Sequence, residues 1–227
     1  MIKHKKKGSL DYLGLTIERA MDGILYCHQK GCIKDLLEPW GMLHANPART
    51  TGDPDSYKTE LARQGKLQSD ERTAEDKEVV RKKAQAIIGG LLWLTTRTRP
   101  DLAYQVGHAA TLVQQHPDEA VAEAKHSLRY VKGTAGKMLR LTPDQAEKGL
   151  EVYADASFAP TGKSSPTGVV ILWMGVCIAW RASRTCLIVQ SVCEAELVAI
   201  LDGFVMSAGI RECVSMFGGA LPEGSVI

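Results

Sequence analysis

LEVYADASFAP, from Leu150 to Pro160, is the stretch on which the reading of this chain turns. Its first six residues alternate and are β-prone, the pattern of a half-buried strand. PTGKSSPTG, from Pro160 to Gly168, follows and is loop by composition. Asp155 therefore ends a strand, and the nearest basic residues, Lys148 and Lys163, stand seven and eight positions away. In the plain case such an aspartate is a turn residue. A second carboxylate in the same unit would instead make it half of a cation site.

Strand texture continues beyond it. TGVVILWM and VCIAWRAS read as two strands joined by a turn at Met174-Gly175, and CLIVQ as a fourth. The longest apolar run, Gly168 to Trp180, is too short for a membrane helix, which needs about 20 residues. The helix SVCEAELVAILDGFVMSA follows, and strand hairpins under a covering helix point to an α/β layer. Ser191 with Glu194 three residues later fits a capping box, which gives Glu194 a structural task. The rest of the helix is apolar all round, the pattern of a buried helix. Glu196 lies within it with no capping role. An unpaired buried carboxylate costs several kcal/mol, so a cation is expected, from Arg181, from Arg184 or from a metal ion. The competing reading lets Glu196 reach solvent along its aliphatic stem.

Upstream, YLGLTIERAMDGILYCHQ reads as two strands joined at Asp22-Gly23, and CIKDLLEPWGM as a short helix closed by Pro39 and Gly41. Residues 45–76 are polar and broken by Gly and Pro, and read as a long mobile connection. A helix from Ala74 to Leu94 carries Gly89-Gly90, a pair expected to admit another element closely. Pro100 and Pro117 each open a further helix. The last has an apolar face of Ala120, Val121, Ala124, Leu128 and Val131. Lys125, Arg129 and Lys132 lie on another face, expected to be exposed and available to phosphates. A solvated charged face is the plain alternative. The Lys3, Lys5, Lys6 and Lys7 run reads as a disordered terminus.

The balance of charge separates these regions. Residues 1–150 hold 24 Lys/Arg against 19 Asp/Glu, and residues 151–227 hold 4 against 7, giving +5 and −3 for the net +2. A polyanion suits the first part and cations suit the second. The six cysteines show no zinc-ligand spacing, and MIKHKKKGSL lacks the apolar core of a signal peptide. Reduced thiols in cytosol or nucleus, no secretion and no membrane span are the expectation.

Four blocks, in order, resemble the Pol polyprotein of copia-type long-terminal-repeat retrotransposons. YLGLTIER…GILYCHQKGCIKDLLEPWGM is similar to the end of the reverse-transcriptase palm and the start of the thumb. IGGLLWLTTRTRPDLAYQV resembles the thumb signature centred on TRPD, and LRYVKGT the segment joining transcriptase to ribonuclease H. VYADASFA, SPTGVVILW and CEAELVAI resemble the first half of the ribonuclease H domain. The resemblance makes Asp155 and Glu196 ligands for Mg²⁺ or Mn²⁺. It implies two-metal hydrolysis of RNA in an RNA:DNA hybrid, with the remainder of the polyprotein as a further partner.

The departures shape the expectation. No Asp-Asp pair of the polymerase signature occurs, and Ser157 stands where the family often has a second aspartate. The third family carboxylate belongs to a strand after the Glu196 helix, about where the chain stops at Ile227, and Asp202 on the same helix cannot replace it. The expected fold is of the α+β or α/β class. It comprises a palm-end hairpin and short helix in 1–44, a flexible connection in 45–76, a helical thumb- or connection-like module in 77–149, and a truncated ribonuclease H-like mixed sheet with a covering helix in 150–227. The expected protein is a polyprotein fragment with an incomplete site and little ribonuclease activity. A non-catalytic nucleic-acid-binding module and a transposon remnant without function are the alternatives.

Overall fold

A computed structural model describes residues 8–52, 73–144, 148–158 and 164–217 in full, and residues 2–6 as backbone. In chain order the elements are β1 (Ile2–Lys6), β2 (Ser9–Tyr12), β3 (Leu15–Arg19), β4 (Leu25–His28), α1 (Lys30–Leu37), α2 (Ala74–Thr95), α3 (Ala103–Leu112), α4 (Pro117–Gly133), β5 (Leu139–Arg140), β6 (Leu150–Ala156), β7 (Pro166–Trp173), β8 (Val176–Arg184) and α5 (Val192–Met216). They form two compact units. One is built on His28–Met138 with Leu10–Thr16, the other runs from Leu139 onward with Ile17–Cys27. No helix among the described residues is long and apolar enough to cross a membrane.

β1 to β5 form one sheet in chain order, so the backbone of the lysine-rich start is a strand rather than a disordered tail. Asp22-Gly23 turns the chain as expected: Gly23 has φ +85°, and the Ile24 amide donates to Asp22 Oδ1 at 2.9 Å. The stretch before it is not one strand. Leu13 and Gly14, at φ +48° and +78°, make a second tight turn between β2 and β3. Two successive positive φ values are what a two-residue hairpin with the right twist requires.

In the helical unit, the short 3-10 turn Glu38–Trp40 that follows α1 ends at Gly41, with φ +65°. Thr73 and Asp76 close a capping box on α2. Gly90, but not Gly89, has the expected packing role: a Cβ there would lie 2.3 Å from Leu36 Cδ1, so α1 rests on bare backbone. Ile87, Leu91, Leu94, Val106, Ala124, Leu128 and Val131 fill the core between α2, α3 and α4. The connection expected to be mobile is ordered in 45–52, and 53–72 lies outside the described residues.

TRPD is the lock of this unit. Arg99, only 2% exposed, grips Asp101 with Nε and Nη2, each at 2.9 Å. Its Nη2 also donates to Thr134 Oγ1 at 2.7 Å, beyond the end of α4. Tyr130 OH donates to Asp101 Oδ2 at 2.8 Å, and Lys137 Nζ donates to Tyr130 OH at 2.7 Å. Pro100 opens a short 3-10 turn that aims Asp101 back at Arg99.

In the second unit β6, β7 and β8 pair antiparallel in that order. Among the described residues this sheet is wholly antiparallel rather than mixed. Met174 and Gly175, at φ +51° and +80°, form the expected turn. CLIVQ is not a strand. Thr185 instead folds the chain over, accepting from the Ser165 amide and donating to the Leu187 carbonyl. Leu150, Val152, Val169 and Ile171 form the core, with Met206 and Ile210 of α5 packed on it.

α5 is longer than expected and is not buried all round. Only Ala195, Ala199, Gly203 and Ser207 are buried, one stripe at fourfold spacing. Leu197, Leu201, Phe204 and Val205 are exposed. The reason is geometric. A Cβ at Gly203 would lie 2.9 Å from Val152 Cγ1 and 3.6 Å from Ala154 Cβ, so the helix backbone sits directly on β6 and uses only its small residues there.

Acid should probe the TRPD lock. Burial alone would raise the Asp101 carboxyl, but the hydrogen bonds and charge of Arg99, with Tyr130 and Lys137, outweigh it and hold it at about 2. A depressed pKa stabilises the fold above the unfolded value near 4 and ceases to do so as pH falls through about 2. Chemical denaturation of the wild type should show a loss of about 2 kcal/mol across that window, and Asp101→Asn should flatten it.

Candidate carboxylate site and basic helix face

β6 presents Asp155. Its pattern buries Leu150 and Val152, and Ala154 lies against Gly203 of α5. Glu151, Tyr153 and Asp155 alternate to the other face. The register Ala154↔Val169 and Asp155↔Gly168 runs without a bulge to the strand end, so Asp155 is exposed and turned away from α5. Gly168 opposite it adds no side chain to crowd the carboxylate.

α5 presents Glu196, half-buried and one position past the buried Ala195. The cap acts as the sequence suggests. The Glu194 amide donates to Ser191 Oγ at 3.1 Å, and the Glu194 carboxylate accepts from the Gln190 amide at 2.7 Å. Glu194 is thereby held and Glu196 is not. Among the described residues neither Asp155 nor Glu196 has a hydrogen-bond or ion-pair partner, and neither Arg181 nor Arg184 pairs with Glu196. No group of three or more His, Cys, Asp or Glu is placed to hold a metal ion among the described residues. The two expected ligands thus belong to one unit, Asp155 on the sheet face turned away from α5 and Glu196 on α5 itself.

Lys125, Arg129 and Lys132 lie along α4 but are half-buried, not on a free face. Arg129 Nε donates to the Asn46 carbonyl at 2.7 Å, and Lys132 Nζ to the Ala45 carbonyl at 2.6 Å. Lys125 has no partner among the described residues. Arg129 keeps its two terminal nitrogens and Lys132 two of its three donors for other acceptors. His126 and Ser127 join the same row, donating to the Thr50 and Thr51 carbonyls. The threefold spacing of His126, Arg129 and Lys132 was visible in the sequence, whereas the segment that meets them was not.

Over 196 residues, 84% of its length, the chain is 28% identical to the retrovirus-related Pol polyprotein from transposon TNT 1-94 of Nicotiana tabacum. Over 193 residues it is 28% identical to that from transposon RE1 of Arabidopsis thaliana. The chain is thus similar, over most of its length, to retrovirus-related Pol polyproteins of transposons. It spans only 14% and 12% of the length of these two relatives. It is also 30% identical over 117 residues to the secreted RxLR effector protein 161 of Plasmopara viticola, covering 82% of that protein and 51% of this chain. No family model and no solved structure matches.

The different employment of the two glutamates gives a direct check. Ser191→Ala, which removes the cap, should cost about 1 kcal/mol in urea denaturation. Glu196→Gln, at a group without a partner, should stay within about 0.5 kcal/mol of wild type.

Proposed function

We propose that residues 150–217 are the ribonuclease H-like part of such a polyprotein. In this reading the partner is an RNA:DNA hybrid, and Asp155 and Glu196 are ligands for Mg²⁺ or Mn²⁺. The observation that carries the reading is the selective freedom of these two carboxylates: the adjacent Glu194 is tied into the helix cap while Glu196 is left without a partner. Two carboxylate oxygens suit Mg²⁺, which commonly keeps several of its waters and takes only one or two protein carboxylates. When bound, the ions would supply a hydroxide nucleophile and charge stabilisation at the leaving oxygen.

The chain's own residues set the terms. Asp155 is next to last in β6 and faces away from α5. The two carboxylates can therefore share an ion only past the strand end, not over the sheet. Fixing two ions takes more ligands than two carboxylates supply, so the described residues by themselves support weak cation binding and little hydrolysis. A misplacement of about 1 Å at such a site costs on the order of a hundredfold in rate. The absence of a three-ligand group among the described residues favours, as second reading, a chain that holds nucleic acid without cleaving it.

Mn²⁺ titration followed by the electron paramagnetic resonance of the free ion separates the two readings. Asp155→Asn and Glu196→Gln should each weaken binding several-fold, and cleavage of a labelled RNA:DNA hybrid should be slow in the wild type. Binding indifferent to both substitutions would remove the shared site and leave the holding role.

A further inference from the structure

We propose that residues 45–52 form a strap that occupies the polyanion face of α4 and is exchanged for a nucleic-acid backbone. This deepens the nucleic-acid reading above and rests on it. The donors of the face, Lys132, Arg129, His126 and Ser127, meet the carbonyls of Ala45, Asn46, Thr50 and Thr51 at 2.6, 2.7, 3.1 and 3.0 Å. The strap thus runs antiparallel to the helix, and its carbonyl oxygens stand where phosphate oxygens would accept the same bonds.

The strap is held by hydrogen bonds and close backbone seating rather than by apolar burial. None of its residues is buried, and Ala48 alone packs against the apolar core. Segments with few buried apolar contacts are the first to open. A phosphate oxygen is charged and a carbonyl is not, so a phosphate adds the attraction of a full negative charge to the Lys132 and Arg129 cations and makes the neutral Ser127 bond charge-assisted. Lys125, which has no strap partner, adds a contact that only the polyanion can make. Two glycines fix the seat. A Cβ at Gly133 would lie 2.9 Å from Pro47 Cβ, and one at Gly52 would fall 2.2 Å from Gln105 Oε1. Gln105 is itself tethered to Glu123 at 3.0 Å.

The consequence is a competition within the molecule. If the face is vacant in about a tenth of molecules, a variant that keeps the strap off binds about tenfold tighter. The tests use the full chain and a short RNA:DNA hybrid duplex. Fluorescence anisotropy against salt measures affinity, and amide hydrogen exchange follows residues 45–52 with and without duplex. Gly133→Val, which pushes Pro47 away, should tighten binding several-fold. Arg129→Ala with Lys132→Ala should weaken it and lower the salt slope by about 2. Duplex should accelerate amide exchange in 45–52 of the wild type, a measurement independent of how the valine variant folds. Salt-dependent binding that needs Arg129 but leaves exchange in 45–52 unchanged, with Gly133→Val no tighter, overturns the strap alone. No salt-dependent binding at all overturns both the strap and the nucleic-acid reading.

Discussion

The buried Arg99 guanidinium is the constraint on which the helical unit depends. A charge 2% exposed is tolerable only with acceptors on several sides. Asp101 supplies two and Thr134 the others, so the turn after α2 and the end of α4 are fixed by one group. Pro100 makes this possible by setting the backbone between arginine and aspartate. Once α4 is positioned, its outer face holds 45–52 in place. Removing Asp101 would leave the charge buried with less than its due, so stability, helix placement and the basic face all trace to TRP-Asp101.

The second unit rests on a different device. α5 meets β6 through Ala195, Ala199, Gly203 and Ser207, which bring helix backbone onto the sheet. That close approach sets the height of Glu196 above the strand. Strand alternation sets the opposite direction for Asp155. Asp155 is next to last in β6 and faces away from α5, so a cation shared with Glu196 would sit past the strand end.

Local punctuation was legible in the sequence. Asp22-Gly23, Met174-Gly175, Pro100, Pro117, Gly41 and the Ser191 cap all act as their chemistry requires, because each needs only its neighbours. Leu13-Gly14 was missed because leucine rarely takes positive φ and nothing nearby announces it. CLIVQ was misread because β-prone composition cannot show that Thr185 bends the chain. The exposure of Leu197, Phe204 and Val205 was hidden because an all-apolar helix does not state how much of it the sheet covers. Of the site, the capping role of Glu194 was readable from spacing. The face taken by Asp155, and the use of Arg129 and Lys132 by 45–52, depend on tertiary register and were not.

The central claim is that Asp155 and Glu196 can serve one cation at the end of β6. Paramagnetic broadening by Mn²⁺ in a proton–nitrogen correlation spectrum tests it most directly. The account predicts that amides around Asp155 to Ser157 and those of the first turns of α5 through Glu196 broaden together at the same low Mn²⁺ concentration. Broadening of one set alone, or of scattered acidic surface residues with both sets untouched, would contradict it.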